Sequence, residues 1–320
     1  MKKISCAALA AAALAAATLA RADYPDKPIR LIVPFPPGGG TEPIARALSQ
    51  KLAEAFGHQM IIDNRPGAGT TIGAEIAAKS PPDGYTLFLG SIANAISAVL
   101  YARLNYDLIR DFAPITLLAT TPGVLVVHPT LPVKSVRELI ALAKARPGEL
   151  AYSSSGNGSP NHLAGELFKF MAGVKMIHVP YKGGGPSTIA LLSGEVSLCF
   201  ASMPSAIEHI RAGKLRALGV TTAQRARSLP ALATIGEAGV PGYEAETWYG
   251  LSAPARTPRE IIARLHAESV KALMLADVKE RLDNMGYLVR TTTTDEYAAF
   301  TQREIDKWKK VVKAADMRAD

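Results

Sequence analysis

Short runs of β-branched and apolar residues alternate along this chain with longer segments whose apolar residues recur at helical spacing. This alternation predicts an α/β fold with a mostly parallel or mixed sheet flanked by helices. The predicted strands are residues 29–33, 60–62, 86–89, 124–127, 150–153, 176–179, 196–201 and 215–221. Helices are predicted over residues 44–55, 72–78, 136–145, 160–171 and 187–192.

A further helix is predicted close to the end of the chain. Thr293 and Glu296 have the spacing of a capping box, in which the two side chains satisfy free backbone N–H groups at a helix start. Tyr297, Phe300 and Trp308 follow at roughly helical intervals. We expect this helix to pack on the body of the protein.

Three glycine-rich loops precede predicted helices, and each contains a proline where its helix should begin. They are residues 34–43 (PFPPGGGTEP), 156–160 (GNGSP) and 183–186 (GGGP). A proline at the first helical position removes no useful donor, so Thr41 or Glu42 would cap the first of these helices. The free N–H groups of such first turns attract anions. Three of them together predict a cleft that binds a carboxylate.

The first 22 residues have the features of an export signal. Lys2 and Lys3 precede an alanine- and leucine-rich run, and Ala20, Arg21 and Ala22 fit the small-x-small pattern of a cleavage site. We therefore expect cleavage after Ala22. The net charge then falls from +8 to +5. This small excess is scattered along helices, which argues against binding to nucleic acid.

Size and cysteine content predict two domains held together by their hydrophobic cores. A chain of about 300 residues exceeds what a single core usually supports. Outside the signal only Cys199 remains, so no internal disulfide can form. Residues 122–123 and 239–243 are the predicted crossings between domains, and two crossings would form a hinge.

Other kinds of site match the sequence poorly. No phosphate-binding loop and no G-x-G-x-x-G spacing occurs, and no zinc-binding or paired-cysteine motif is present. We expect no cofactor and no metal. A serine hydrolase that uses Ser154 or Ser159 remains an alternative, although no G-x-S-x-G elbow supports it. Ser159 is equally expected as a helix cap. Tyr181 is expected at the cleft and Lys182 in solvent.

Eight segments, in order along the chain, resemble one family, the periplasmic solute receptors of tripartite tricarboxylate transporters, often called Bug proteins. The likeness covers nearly all of the chain after the signal. The segments are YPDKPIRLIVPFPPGGGTE from Tyr24, NRPGAG from Asn64, PPDGYTL from Pro81, YDLIRDFAPI from Tyr106, SSGNGSPNHLAGELF from Ser154, HVPYKGGGP from His178, AGKLRALGVT from Ala212 and LPALATIGEAGVPGYE from Leu229.

The resemblance implies a two-lobed periplasmic binding protein of the Venus flytrap type, without catalytic activity. It would close on a small organic carboxylate and deliver it to two integral membrane subunits, and we expect a monomer. The implied lobes are residues 23–123 plus 245–320, and residues 124–244. The implied ligand-binding residues are Phe35, Gly39, Gly40, Thr41, Ser91, Ser154, Gly158, Ser159 and Tyr181. We expect Glu42 and Thr70 to bind ligand beside them. A ligand sensor that docks on a signalling partner would use the same pocket.

The chain departs from the family pattern at four positions. The family usually has aspartate at Glu42, glycine at Thr70, and acids at Ala190 and Ser197. Because Glu42 and Thr70 are expected to flank the cleft, we expect an unusual carboxylate preference that a Glu42→Asp variant would change. The two missing acids predict a ligand without a strong positive group.

Overall fold

The computed structural model describes residues 24–314, which form ten strands, ten α-helices and a 3₁₀ turn at Ala68–Thr70. The strands are β1 (Ile29–Val33), β2 (Met60–Asn64), β3 (Thr86–Ser91), β4 (Phe112–Val127), β5 (Ala151–Ser154), β6 (Ile177–Pro180), β7 (Leu198–Ser202), β8 (Arg216–Val220), β9 (Glu246–Pro254) and β10 (Leu288–Val289). The helices are α1 (Glu42–Phe56), α2 (Thr71–Ala78), α3 (Ile92–Leu100), α4 (Val136–Ala145), α5 (Pro160–Ala172), α6 (Gly184–Leu192), α7 (Met203–Arg211), α8 (Arg259–Met274), α9 (Ala276–Asn284) and α10 (Thr294–Ala314).

The fold has two lobes, each built on its own part of a mixed sheet. In the first lobe β1 pairs in parallel with β2 and β3, β3 pairs antiparallel with β9, and β10 pairs antiparallel with β4. In the second lobe β5 pairs in parallel with β6 and β7. Helices cover the sheets, and apolar residues of sheets and helices form the buried cores of the lobes.

Strand β4 belongs to both lobes. Residues 112–122 pair antiparallel with β9, and residues 123–127 pair antiparallel with β7 and β8. The change of partner falls between Pro122, which is opposite Glu246, and Gly123, which is opposite Ser202. The chain returns to the first lobe at the start of β9. These two strands join the lobes.

Thr221 links the two connecting strands at this point. The backbone N–H of Gly123 donates to Oγ1 of Thr221 over 2.8 Å, and that hydroxyl donates to the carbonyl oxygen of Ala245. The backbone groups of Thr221 also bond to Gly123 and to Ala245. A Cβ atom at Gly123 would lie 2.8 Å from Oγ1 of Thr221, which explains glycine there. One residue therefore holds both connecting strands together.

Each predicted strand and helix is present within a few residues, and the helix predicted near the chain end is confirmed as α10. Four helices, two strands and most of β4 escaped prediction. Pro114 and Pro122 interrupt the β4 sequence, and the strand accommodates Pro114 at an irregular register. Helix α3 is buried from Ile92 to Ser97, and its sequence IANAISAVL contains no charged residue that would mark a solvent-facing side. The missed elements are α3, α7, α8, α9, β9 and β10.

Two predictions concern the chain ends. The export signal over residues 1–22 lies outside the described residues, as do residues 315–320. Between residues 24 and 314, no helix has the length and apolar character needed to cross a membrane. Cys199 is a free, buried thiol.

Candidate functional site

A cleft lies between the two lobes, and within residues 24–314 the first turns of five helices line it. The helices are α1 and α3 of the first lobe and α5, α6 and α7 of the second. Phe35, Phe200 and Trp308 supply apolar surface, and most of the remaining lining is hydroxyl, amide and glycine backbone. The enclosed cavity is narrow, at about 60 Å³.

Helix α1 presents a free cap to the cleft. Thr41 occupies the N-cap position, but its side chain makes no cap hydrogen bond. The residue is 5% exposed and lines the cleft together with Gly39 and Gly40. The hydroxyl of Tyr287 donates to the carbonyl oxygen of Gly40 and so holds the loop in place. The hydroxyl of Thr41 is therefore available to a ligand.

Helix α3 begins with a capping box on the opposite edge of the same lobe. Oγ of Ser91 accepts from the backbone N–H of Ala93 over 3.3 Å, and the backbone N–H of Ser91 donates to Oδ1 of Asn94 over 2.9 Å. The side-chain amide of Asn94 donates to Oγ1 of Thr70 over 3.0 Å. Ser91 lines the cleft, and Thr70 supports it from behind through Asn94.

Helix α5 contributes the side chain of Asn161 to the cleft, whereas its N-cap residue does not line the cleft. Oγ of Ser159 accepts from the backbone N–H of His162 over 3.3 Å, so the cap is used within the helix. Asn161, two residues later, accepts from Oγ of Ser155 and donates to the carbonyl oxygen of Phe200, each over 2.5 Å. Ser155 and Asn161 both line the cleft.

Helices α6 and α7 complete the second-lobe wall with hydroxyl groups. Gly183 is the N-cap of α6 and has no side chain to occupy the first N–H groups. Ser187 and Thr188 of α6 line the cleft, and Oγ of Ser187 lies 2.9 Å from Oγ of Ser153. Helix α7 adds Ser202 and Ser205. These first turns bring backbone N–H groups and hydroxyl oxygens toward the same space.

The electrostatic character of the cleft comes from helix ends rather than charged side chains. Among the described residues, no lysine, arginine or histidine lines it. Helix N-termini carry partial positive charge, so five of them favour an anion without a formal cation. Glu246 supplies the single carboxyl of the lining, and Tyr249 supplies a phenol whose pKa is raised by burial. Residues 24–314 contain no cluster of three metal-binding side chains.

The glycine loops of the two lobes touch across the mouth of the cleft. A Cβ atom at Gly183 would lie 2.5 Å from Cγ of Pro36, and one at Gly184 would lie 3.7 Å from Cα of Gly39. Gly183 also has a φ of 115°, which other residues rarely adopt. Glycine at these positions therefore allows the lobes to approach closely.

Five of the predicted ligand-binding residues line the cleft: Phe35, Gly39, Gly40, Thr41 and Ser91. Two other predicted first-lobe residues lie outside this lining. Glu42 points along the outside of α1, where its carboxylate accepts from the backbone N–H of Gly38 and pairs with Arg46. Thr70 is buried behind α3. The expectation that Glu42 and Thr70 flank the cleft therefore finds no support in the lining residues.

Four predictions in the second lobe also fall outside the lining. Ser154 is fully buried, and Gly158 and Ser159 form the turn that caps α5. Tyr181 lies at the surface, where its hydroxyl donates to Oε1 of Glu195 over 2.6 Å. Burial of the ring, followed by the carboxylate, raises the pKa of Tyr181 to about 12. Tyr181 is therefore not among the residues that line the cleft, and Lys182 is exposed.

Ser154 and His178 form a close pair behind the cleft. Oγ of Ser154 lies 2.6 Å from Nε2 of His178, and the His178 ring stacks on His162 with centroids 3.9 Å apart. This contact superficially resembles a nucleophile and base. However, Ser154 has no exposed surface, and neither it nor His178 lines the cleft. Burial, and then the charge of His162, lowers the pKa of His178 to about 4.

The positions that differ from the family pattern at Ala190 and Ser197 lie away from the cleft as well. Ala190 is buried in the core of the second lobe. The backbone N–H of Ser197 bonds to Ala151 beside β5. These two positions therefore give no support to the expected absence of a positive group on the ligand.

Several lining residues escaped prediction for identifiable reasons. Ser202 precedes Met203 and Pro204, which is the same cap-then-proline signal as in the recognised loops. Thr247 and Tyr249 reach the cleft on β9, Thr221 reaches it at the end of β8, and no local motif marks them. Asn161 directly follows Pro160, the proline at the end of the second glycine-rich loop. A rule based on first-turn positions would have found Asn161 and Ser202.

Comparison with known proteins gives a consistent result. Residues 44–317 match the model of the "Tripartite tricarboxylate transporter family receptor". The chain is 39% identical over 292 residues to Protein BugT of Bordetella pertussis, covering 91% of this chain and 90% of BugT.

Two solved structures agree over nearly the whole fold. The structure titled "R. palustris Rpa4515 with adipate" superposes with a TM-score of 0.89 at 38% identity, covering 92% of this chain and 99% of that one. MatC from Rhodopseudomonas palustris with bound malate has a TM-score of 0.86 at 32% identity, covering 90% and 100%. This chain therefore belongs to the tripartite tricarboxylate transporter receptor family, the Bug proteins.

Proposed function

We propose that this protein is a periplasmic receptor that binds a small organic carboxylate between its lobes for a tripartite tricarboxylate transporter. The observation that carries the proposal is the convergence of five helix N-termini on a cleft that no lysine, arginine or histidine of residues 24–314 lines. Such a site binds a carboxylate through backbone N–H and hydroxyl donors. The related structures with adipate and malate support the same ligand class.

The receptor works by closure of its lobes. We place the lobe boundaries at 23–123 plus 245–320, and at 124–244, because β4 changes partners at residues 122 and 123. The pair of connecting strands around Thr221 would act as the hinge. The receptor is exported by a signal cleaved after Ala22 and acts as a monomer. Its partners are two integral membrane subunits, in keeping with the family.

The protein does not catalyse a reaction. A serine nucleophile must reach its substrate, whereas Ser154 is fully buried and the hydroxyl of Ser159 caps α5. A serine-directed phosphonate should leave the folded protein unlabelled, and ester substrates should not turn over. Labelling at Ser154 or Ser159 would revive the hydrolase alternative.

Tryptophan fluorescence tests the binding proposal directly. Trp248 and Trp308 are the two tryptophans of the chain, and Trp308 lines the cleft. Short carboxylates should change the emission in a saturable way, while their uncharged amides should not, because only the anion gains from the helix dipoles. Equal responses to the acids and the amides would contradict an anion site.

A further inference from the structure

Glu246 is the one carboxyl side chain that lines the cleft within the described residues. It is the first residue of β9 and stands opposite Pro122 at the crossing between lobes. Its side chain forms no ion pair with any residue of the described chain. The surrounding wall favours anions, so a carboxyl without an ion pair on it requires an explanation.

The groups near Glu246 only partly offset the effect of burial on the pKa of its carboxyl. Burial raises the pKa of this carboxyl, and Glu244 raises it further. A hydrogen bond from Thr120 and the charges of Arg290 and Lys307 act in the opposite direction. A ligand group placed here would therefore meet an acceptor with unsatisfied capacity.

Trp308, which also lines the cleft, has an unpaired donor. Its side chain is 1% exposed, and its indole N–H has no hydrogen-bond partner among the described residues. Lys307, the preceding residue of α10, is near enough to Glu246 to affect its pKa. A buried N–H without a partner is costly and usually bonds to water or a ligand. Glu246 and Trp308 are thus an acceptor and a donor among the residues that line the cleft.

A hydroxyl group satisfies both, because it donates one hydrogen bond and accepts others. A second carboxylate would accept from Trp308 but would repel Glu246. An ammonium group would pair with Glu246 but leave Trp308 without an acceptor. We propose that Glu246 is a specificity-determining residue that selects monocarboxylates carrying a hydroxyl at their far end and disfavours dicarboxylates.

This inference rests on the proposed function, since it assumes that the helix N-termini hold the first carboxylate. It goes further by naming the chemistry of the other end of the ligand. The relatives bound to adipate and malate hold dicarboxylates. The inference therefore predicts that this receptor differs from them in its order of ligand preference.

The test compares matched ligands that differ only at the far end. Calorimetric titration at pH 8 would use ω-hydroxy monocarboxylates and the corresponding α,ω-dicarboxylates, from malonate to adipate. Wild type should prefer the hydroxy acid of the best-binding pair. Glu246→Gln should reduce this preference on the order of tenfold or more, because it removes like-charge repulsion in a partly buried site.

Two variants serve as controls. Glu244→Gln removes an exposed carboxyl two residues away that does not line the cleft, and it should leave the preference unchanged. Glu246→Asp keeps the negative charge, so it should still prefer the hydroxy acid to the dicarboxylate.

Each outcome separates the two proposals. Binding of carboxylates with the same preference in wild type and Glu246→Gln would overturn the role of Glu246 while preserving the receptor. A wild type that prefers the dicarboxylate would overturn it as well. Failure of wild type to bind any member of either series would contradict the proposed function and, with it, this inference.

Discussion

Gly40 and Ser202 meet across the cleft, one from each lobe. A Cβ atom at Gly40 would lie 2.7 Å from Oγ and 3.1 Å from Cβ of Ser202. The first-lobe loop therefore reaches the cap of α7 only because position 40 lacks a side chain. This contact links local sequence to closure, since closure requires the two surfaces to come this near.

Gly40→Ala should weaken ligand binding on the order of tenfold, because the added methyl holds the lobes apart where the ligand is enclosed. Calorimetric titration with the best ligand would measure this change. Gly236→Ala is the matched control, since Gly236 does not line the cleft and a Cβ atom there meets nothing nearer than Oγ1 of Thr234 at 3.5 Å. Adding Ser202→Gly to Gly40→Ala should recover affinity. An unaffected Gly40→Ala variant would contradict the closure argument.

Ser159→Ala should reduce stability by about 1 kcal/mol and leave ligand affinity unchanged, because the hydroxyl caps α5 and does not line the cleft. Urea unfolding and calorimetric titration would measure the two quantities separately. Asn161→Ala, on the same first turn, should weaken binding instead, since Asn161 lines the cleft. A Ser159→Ala variant that loses affinity but not stability would restore Ser159 as a ligand-binding residue.

Glu42→Asp should not alter the order of ligand preference. The Glu42 carboxylate binds the N–H of Gly38 and the side chain of Arg46, and these contacts lower its pKa. The shorter aspartate would weaken those contacts at the protein surface, so only a small loss of stability is expected. The readout is a ligand panel compared between the two proteins. A changed preference would mean that Glu42 acts on the ligand despite its outward position.

His178 should make stability fall on acidification. Burial, followed by the charge of His162, lowers the pKa of His178 to about 4 in the folded protein, against 6.5 for an ordinary histidine. Below pH 6.5 the unfolded chain takes up a proton that the folded protein excludes. Stability is therefore fully present above pH 6.5 and is lost as the pH falls toward 4.

The expected contribution of His178 between pH 7 and 5 is about 1 kcal/mol, after allowance for partial solvent exposure of the ring. Urea unfolding across this range would measure the slope of the unfolding free energy in wild type and His178→Gln. The slope should be smaller in His178→Gln and unchanged in His209→Gln, a control on α7. Equal slopes in all three proteins would contradict the account of this buried pair.

The sequence was sufficient to predict the first-lobe anion loop because glycine and proline act locally. Gly39, Gly40 and Thr41 follow a strand and precede a helix, so their place at the cleft depends on only a few neighbours. Ser91 was assigned by resemblance, and its place follows from a local capping box.

The position of the remaining site residues depends on pairing between strands that are far apart in the chain. Glu246 and Tyr249 reach the cleft only because β9 pairs with β3 and β4, more than a hundred residues earlier in the chain. Ser154 and Tyr181 belong to matching motifs, yet the packing around His178 and Glu195 turns them away from the ligand. A family motif predicts which loop lies near the site. The direction of each side chain in that loop depends on contacts with residues outside the motif.

The most direct test of the central claim is thermal unfolding of the protein after it has been stripped of ligand by unfolding and refolding. The panel would contain mono-, di- and hydroxycarboxylates, aromatic acids and amino acids, each with its uncharged amide. A carboxylate at about 100 times its Kd should stabilise the protein by about 2.7 kcal/mol and raise the midpoint, while its amide should not. The absence of a shift with every carboxylate, or equal shifts with the amides, would contradict a carboxylate receptor built on helix N-termini.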